Sequence, residues 1–382
     1  MKLAVISLNT ENKNLSQYYN SQAEGLAKAL SEMGHELTVY HLVPDLDKER
    51  EHLRKDSVRI EYMKCRHIGK HALIDCAMLD ADKECYITAS DNYLMLGKFV
   101  KWCRKNRILC LPYIGVIHSN NSSAIKRKIV DILCNNVKFY KRMPTVVKTP
   151  ALEKSLRKAG ANKLFCVPVG LDTALLKQDY KEYSVENLKK KWNYEASDQI
   201  ILFVGRMTAE KQPEKMISIF KRMYENNHAY RLLMVGQGEL SEQVRNRIAE
   251  MHLDDRVTIH EKVPNDHMWE LYRMSVCYIN LNTHEIFGMA ILEAMYYENV
   301  VIALKAPGPE LIIENGVSGY ICENEDKLIQ RALEADKAAI GKAAHLHVEE
   351  CFLWKNSAKK IEKIICDILS NGSFPASMKG NR

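Results

Sequence analysis

The stretch HEIFGMAILEAM, His284 to Met295, sets two glutamates eight positions apart across a Phe-Gly pair. Glu293 stands in an apolar run, 289–295, that reads as a helix opened by Gly288. Glu285 then lies in the loop outside the helix, and Glu293 about one turn inside it. Both carboxylates can face the helix N-terminus, where free N–H groups and the dipole favour an anion such as phosphate. Two acceptors for hydroxyls beside a phosphate seat fit a nucleotide sugar. The same spacing also fits a surface helix with two solvated acids, and the glutamates alone do not separate the two.

Outward from this stretch, short apolar runs alternate with segments of helical period, the pattern of parallel sheets with crossover helices. Strands are expected at 199–205, 231–236, 256–261, 277–282 and 299–304. An earlier series falls at 3–8, 37–43, 58–63, 85–89, 111–118, 145–149 and 164–169. Between the series, residues 172–198 are charged and poor in β-branched residues, as a boundary would be. Helical faces are expected at Ala23, Leu26, Ala27, Leu30 and Met33, ending at Gly34, and at Met216, Ile217, Phe220 and Met223 after Pro213. The last helix, 355–370, is amphipathic. Two such α/β halves facing each other would leave a cleft at the carboxyl ends of their strands, where open α/β sheets bind ligands.

With 382 residues, 46% hydrophobic and 27% charged, the chain has the composition of a soluble globular protein of two domains. It contains no run of ~18 apolar residues that would span a membrane. The opening MKLAVISLNTENKN reads as a first strand, not a signal peptide. Eleven cysteines without a CxxC pair read as reduced, mostly buried thiols of a cytosolic protein, and point away from zinc. The net charge is +7, and its placement says more than its size. Lys126, Arg127, Lys128, Lys138, Lys141 and Arg142 face Asp131 alone across 126–142. That stretch suits an anionic membrane surface or a phosphate-bearing acceptor, and equally a solvated face. Nucleic acid is disfavoured because no recognised binding module accompanies the charge.

Polar residues follow the strands of the second series. Arg206 comes directly after Gly205, and Lys211 stands five residues on, near the next helix start. A guanidinium fork and a compact ammonium together suit a diphosphate, although two exposed loop cations are common. Gly236-Gln237-Gly238 is only GxG, so it reads as a tight turn admitting ligand to the backbone, not as a dinucleotide fingerprint.

In order and spacing, FVGRMTAEK (203–211), MVGQGEL (234–240), HEIFGMAILEAM (284–295) and ENGVSGYIC (314–322) resemble the retaining GT-B glycosyltransferases of family four (glycosyl transferases group 1). GHELTVY (34–40), His118 closing a strand, VPVGLDT (167–173) and FLW (352–354) are similar to the same family. The likeness covers nearly the whole chain, and the E-x7-E segment with its Phe-Gly pair is the specific part. It implies a GT-B architecture of two Rossmann-like, doubly wound parallel-sheet domains facing across a cleft. The acceptor-side domain would span 1–172 and be joined by the last helix, about 355–372. A linker region 173–198 and a nucleotide-sugar domain 199–350 would follow.

The resemblance also implies roles. Arg206 and Lys211 would clamp the donor diphosphate, with N–H groups of Gly288, Met289 and Ala290 at the helix start. Phe287 and Gly236 belong to the same donor site. Glu293 would accept from the ribose hydroxyls and Glu285 from those of the transferred sugar. His118 would contact that sugar near its 6-hydroxyl, and the base would lie near Lys262 and Val263. No residue picks UDP over GDP or ADP, and UDP is the commonest carrier. The family's glycine-rich turn after the first strand is missing here: residues 9–20 read NTENKNLSQYYN, leaving Asn9, Asn12 and Asn14 as acceptor candidates. After the second glutamate, Glu298-Asn299-Val300 replaces the usual Gly-Leu-Pro turn.

The implied reaction is a hexosyl transfer with retention, on the donor's front face, needing no enzyme nucleophile, cofactor or metal. Asp45-Leu46-Asp47 and Asp80-Ala81-Asp82 match a short acidic metal motif, a pattern loose enough for chance. A nucleotide-sugar epimerase or phosphorylase on the same fold is the rival within enzymes. An inactive homologue acting as a partner subunit is the rival outside them. The expected place of work is the cytoplasm, with peripheral contact at the inner face of the membrane through 126–142.

Overall fold

The computed structural model describes residues 1–11, 21–89, 92–117 and 131–370. The chain divides into two compact units: Met1–Gly170 with the C-terminal helix Trp354–Ser370, and Leu171–Leu353. None of the described helices is long and apolar enough to cross a membrane.

The first unit contains β1 (Lys2–Thr10), β2 (Glu36–Val43), β3 (Arg50–Lys55), β4 (Val58–Lys64), β5 (Arg66–Ile68), β6 (His71–Leu73), β7 (Cys85–Thr88), β8 (Leu109–Ile114), β9 (Thr145–Val147) and β10 (Leu164–Cys166). Their order is β10-β9-β8-β7-β1-β2-β4-β3, with β6 paired to β1 and β5. Residues 3–8 of β1 are buried without alternation, as in a parallel strand covered on both faces. The run from β10 to β4 is parallel, as expected, and antiparallel strands beyond the expected set are added to it. β3 runs antiparallel to β4, and β5 and β6 form a small antiparallel pair. The reason lies in REHLRK (50–55), which is mostly exposed and has no apolar period to announce a strand. Its charges blunt an open sheet edge.

The helix Gln22–Glu32 buries Ala23, Leu26, Ala27 and Leu30, and the chain leaves it through Gly34 at φ 90°. A Cβ on Gly25 would stand 2.3 Å from the indole nitrogen of Trp354. The bare glycine therefore lets the first and last helices cross closely, and His35 Nε2 lies 2.8 Å from Glu362 Oε1 beside that crossing.

In the second unit, β11 (Gln199–Val204), β12 (Tyr230–Val235), β13 (Val257–His260), β14 (Cys277–Asn280), β15 (Val300–Leu304) and β16 (Tyr320–Cys322) are all parallel. Their order, β13-β12-β11-β14-β15-β16, is the doubly wound 3-2-1-4-5-6 order, which reverses direction between β11 and β14. The helix Pro213–Asn226 turns Met216, Ile217, Phe220 and Met223 fully inward. Residues 173–198, expected as a linker, pack onto this unit. Tyr180 and Leu188 are buried there. Lys191 Nζ and Trp192 Nε1 donate to the two oxygens of Glu270 at 2.6 and 2.8 Å.

At the carboxyl end of the first sheet, buried His41 on β2 pairs through Nδ1 with Glu11, and its Nε2 lies 3.2 Å from Glu24. Burial draws this imidazole's pKa down, but Glu11 and Glu24 outweigh it and raise the value to about 9. Burial likewise pushes Glu24 up, while His41 and Lys55 hold it below its ordinary value. An imidazole raised from roughly 6.5 in the unfolded chain stabilises fully below that value, and loses its contribution as pH climbs through about 9. Stability should therefore fall by on the order of 2–3 kcal/mol across that window, read as the urea midpoint at each pH. His41→Asn should remove the slope. A parent midpoint indifferent to pH there would remove the triad's charge from the account.

Candidate functional site

The reversal between β11 and β14 leaves two loops at the carboxyl edge of the second sheet, where open α/β sheets form their crevice. The loop after β11 carries Gly205, exposed Arg206, and a single turn, Ala209–Lys211. Gln212 then takes φ 55° so that Pro213 can open its helix, and its Nε2 donates to the Leu281 carbonyl at 2.5 Å. That bond joins the first loop to the second.

The second loop is held from within. Asn282 is buried, and its Oδ1 accepts from His284 N at 2.9 Å. Its Nδ2 donates to Glu210 Oε1 at 3.0 Å and to Glu285 Oε2 at 3.2 Å. Lys211 Nζ meets the same Glu285 oxygen at 2.6 Å. Two sequence-predicted residues from opposite sides of the crevice are thus in direct contact, and Arg206 stands on the same loop as Lys211.

Gly288 sits at φ 101°, and no side chain caps the helix Met289–Tyr296 that it opens. The left-handed backbone is cheap only for glycine. Glu285 lies outside this helix and Glu293 in its second turn, as the spacing implied. Glu293 is buried, and Tyr272 donates its hydroxyl to Oε2 at 3.0 Å. Burial and then the Glu285 carboxylate push the Tyr278 phenol well above its usual range, and Glu293 adds to it.

The glycines of the GxG turn serve the protein's own packing. A Cβ on Gly236, at φ 140°, would stand 2.0 Å from the Gly205 carbonyl, and one on Gly238 2.5 Å from that of Met207. Phe287 and Val263 are buried, Lys262 is exposed, and Met289 and Ala290 are half-buried.

In the first unit, half-buried Asn9 lines a polar pocket of about 570 Å³ with Glu11, Glu24, His41 and Lys70. Asn12, Asn14, His118, Lys126, Arg127 and Lys128 lie outside the described residues. Lys138, Lys141 and Arg142 are exposed. Asp80 of the acidic motif is engaged by Arg50 at 3.1 Å and Arg59 at 3.6 Å.

Sequence reading missed Asn282, Tyr272 and Gly308. Asn282 binds His284 N and Glu285 nearby and only Glu210 from afar. Tyr272 carries no local signal, because its partner Glu293 lies 21 residues on. Gly308 had one, the Pro-Gly-Pro run at 307–309. Its N–H donates to the Glu285 carbonyl at 2.7 Å, and a Cβ there would stand 2.2 Å from the Phe287 carbonyl. Gly308→Ala should therefore destabilise the protein by about 1–3 kcal/mol, the scale of overpacking. A urea midpoint equal to the parent's would mean that the 285–288 loop yields freely.

Residues 184–339 match the family model of glycosyl transferases group 1. N-acetyl-alpha-D-glucosaminyl L-malate synthase of Bacillus anthracis is 26% identical over 197 residues, which are 50% of this chain and 51% of that protein. The chain thus spans about half the length of the curated relatives it matches. Solved structures align far more completely. Sucrose-phosphate synthase of Thermosynechococcus elongatus superposes with a TM-score of 0.73 at 17% identity, covering 97% of this chain and 100% of that one. Anabaena Alr3699/HepE, in complex with UDP and glucose, does so at 0.67 and 15%, covering 98% and 100%. The fold is GT-B, and fold and family match together support a GT-B glycosyltransferase.

Proposed function

We propose that the protein is a retaining glycosyltransferase that moves a hexose or N-acetylhexosamine from a UDP-linked sugar to a hydroxyl of a glycan, glycolipid or small-molecule acceptor. The observation that carries this reading is the Lys211–Glu285 contact beside the glycine-opened helix, with Glu293 buried in that helix. A cation, a helix N-terminus and two carboxylates are what a sugar nucleotide presents partners for: diphosphate, then ribose and hexose hydroxyls.

In this reading Arg206 and Lys211 hold the diphosphate, and the N–H groups at 288–290 complete its seat. Glu293 accepts from the ribose, Glu285 from the sugar, and the base lies by Lys262 and Val263. The bond from the anomeric carbon to the diphosphate breaks with its electron pair going to phosphate oxygen. The acceptor oxygen bonds on the same face, and its proton passes to the departing phosphate. Preorganised cations do most of the work, and neither a metal nor an enzyme nucleophile takes part. His118 touches the donor sugar near its 6-hydroxyl, while Asn9, Asn12 and Asn14 line the acceptor. The UDP carrier draws support from the UDP complex of the Anabaena structure. The work is done in the cytoplasm, against the inner membrane face through 126–142.

Lys211→Ala and Arg206→Ala should each lower transfer from UDP-sugars by roughly 10²–10³-fold, the scale of losing one preorganised charge, and EDTA should leave the parent active. Near-normal turnover by both variants removes the diphosphate assignment, and loss in EDTA rescued by manganese makes the transfer metal-dependent.

Calorimetry with UDP separates the glutamates, because UDP has a ribose but no transferred sugar. Glu293→Gln should weaken UDP binding by about 1–3 kcal/mol. Glu285→Gln should leave it nearly unchanged, yet lower transfer and blur the choice between epimeric donors. Equal loss of UDP affinity by both variants would undo this division of labour.

A further inference from the structure

We propose that an apolar pocket at the basic edge of the first unit seats the hydrocarbon of an anionic bilayer lipid, whose head is met by Arg104, Arg107 and Arg142. The pocket holds about 260 Å³ and lies where the helix Leu96–Lys105 turns into β8. Val100, Ile108, Leu109, Phe139 and Met143 wall it, all buried or half-buried. Three guanidinium-bearing side chains line the same cavity. Arg104 and Arg107 are exposed, and neither has an ion-pair partner among the described residues.

The surroundings extend that charge. Among the described residues from Lys98 to Met143 stand eight Lys and Arg against Asp131 alone. Lys101, Lys105, Lys138 and Lys141 are exposed. Ile132 and Leu133, in the same part of the chain, are 68% and 67% exposed. A small soluble anion would be drawn by the cations but would leave the cavity unused. An apolar metabolite would use the cavity but leave Arg104 and Arg107 without an anion. An amphiphile satisfies both, and so wide a cationic field suits a bilayer over a single solute. The lipid seat deepens the membrane contact proposed above and is independent of the transfer chemistry, which the vesicle experiment does not test.

Sedimentation with phosphatidylcholine vesicles, with and without phosphatidylglycerol, tests it on the full-length protein. The parent should bind only the anionic vesicles and leave them as salt rises. Arg104→Gln with Arg107→Gln should lower that affinity roughly 25-fold, at about fivefold for each cation near the surface. Val100→Trp fills the cavity with every cation in place, and should cost roughly tenfold, the worth of about two buried methylenes. Val100→Phe replaces it if melting shows the tryptophan variant unfolded. Unchanged binding by the double arginine variant or by the pocket-filled variant overturns the proposal. So does binding of monomeric decyl phosphate without any vesicle binding, which would assign the pocket to a free amphiphile.

Discussion

Pairing of β11 with β14, through Ile201↔Cys277 and Leu202↔Tyr278, is the constraint on which the candidate site rests. Strands far apart in sequence become neighbours, and the loops that follow them emerge side by side. Only then can Lys211 reach Glu285, and only then can Gln212 donate to the Leu281 carbonyl. A parallel sheet in this order leaves a gap at the reversal, because the helices on its two sides diverge. The gap is filled by polar groups that satisfy one another.

That mutual satisfaction explains the residues around the glutamates. Glu285 lies between the Lys211 ammonium and the Asn282 amide, which also binds Glu210. Glu293 accepts from the Tyr272 hydroxyl, from the neighbouring helix Met268–Met274. In the functional reading, the ammonium that a donor diphosphate would claim is meanwhile neutralised by the carboxylate that would bind its sugar.

The first unit solves different problems. Its open edge is a charged antiparallel strand, where another apolar strand would invite pairing with other chains. Its sheet's carboxyl end holds a charged histidine between two glutamates, joining β1, β2 and the first helix. Its basic side carries an apolar cavity. The edge strand and the histidine cluster meet at Lys55, whose ammonium lies 3.2 Å from Glu24.

Much of this was legible in the residues. Continuous apolar runs such as QIILFV and LAVISL announce strands covered on both faces. The run Met216, Ile217, Phe220 and Met223 announces a buried helical face, and Gly288 a helix start. The E-x7-E spacing placed one glutamate outside that helix and one inside it. These signals are local, depending only on backbone geometry and the period of side chains. Tertiary structure alone decided the rest. REHLRK is a strand because β4 offers a partner, and 173–198 is part of a unit because Tyr180, Leu188 and Trp192 find places on it. Tyr272, Gly308 and the Asn282–Glu210 contact matter through atoms contributed by residues distant in sequence, and the sequence pattern has no term for those distances. Periodicity reports which face a residue shows; only the folded chain decides what that face meets.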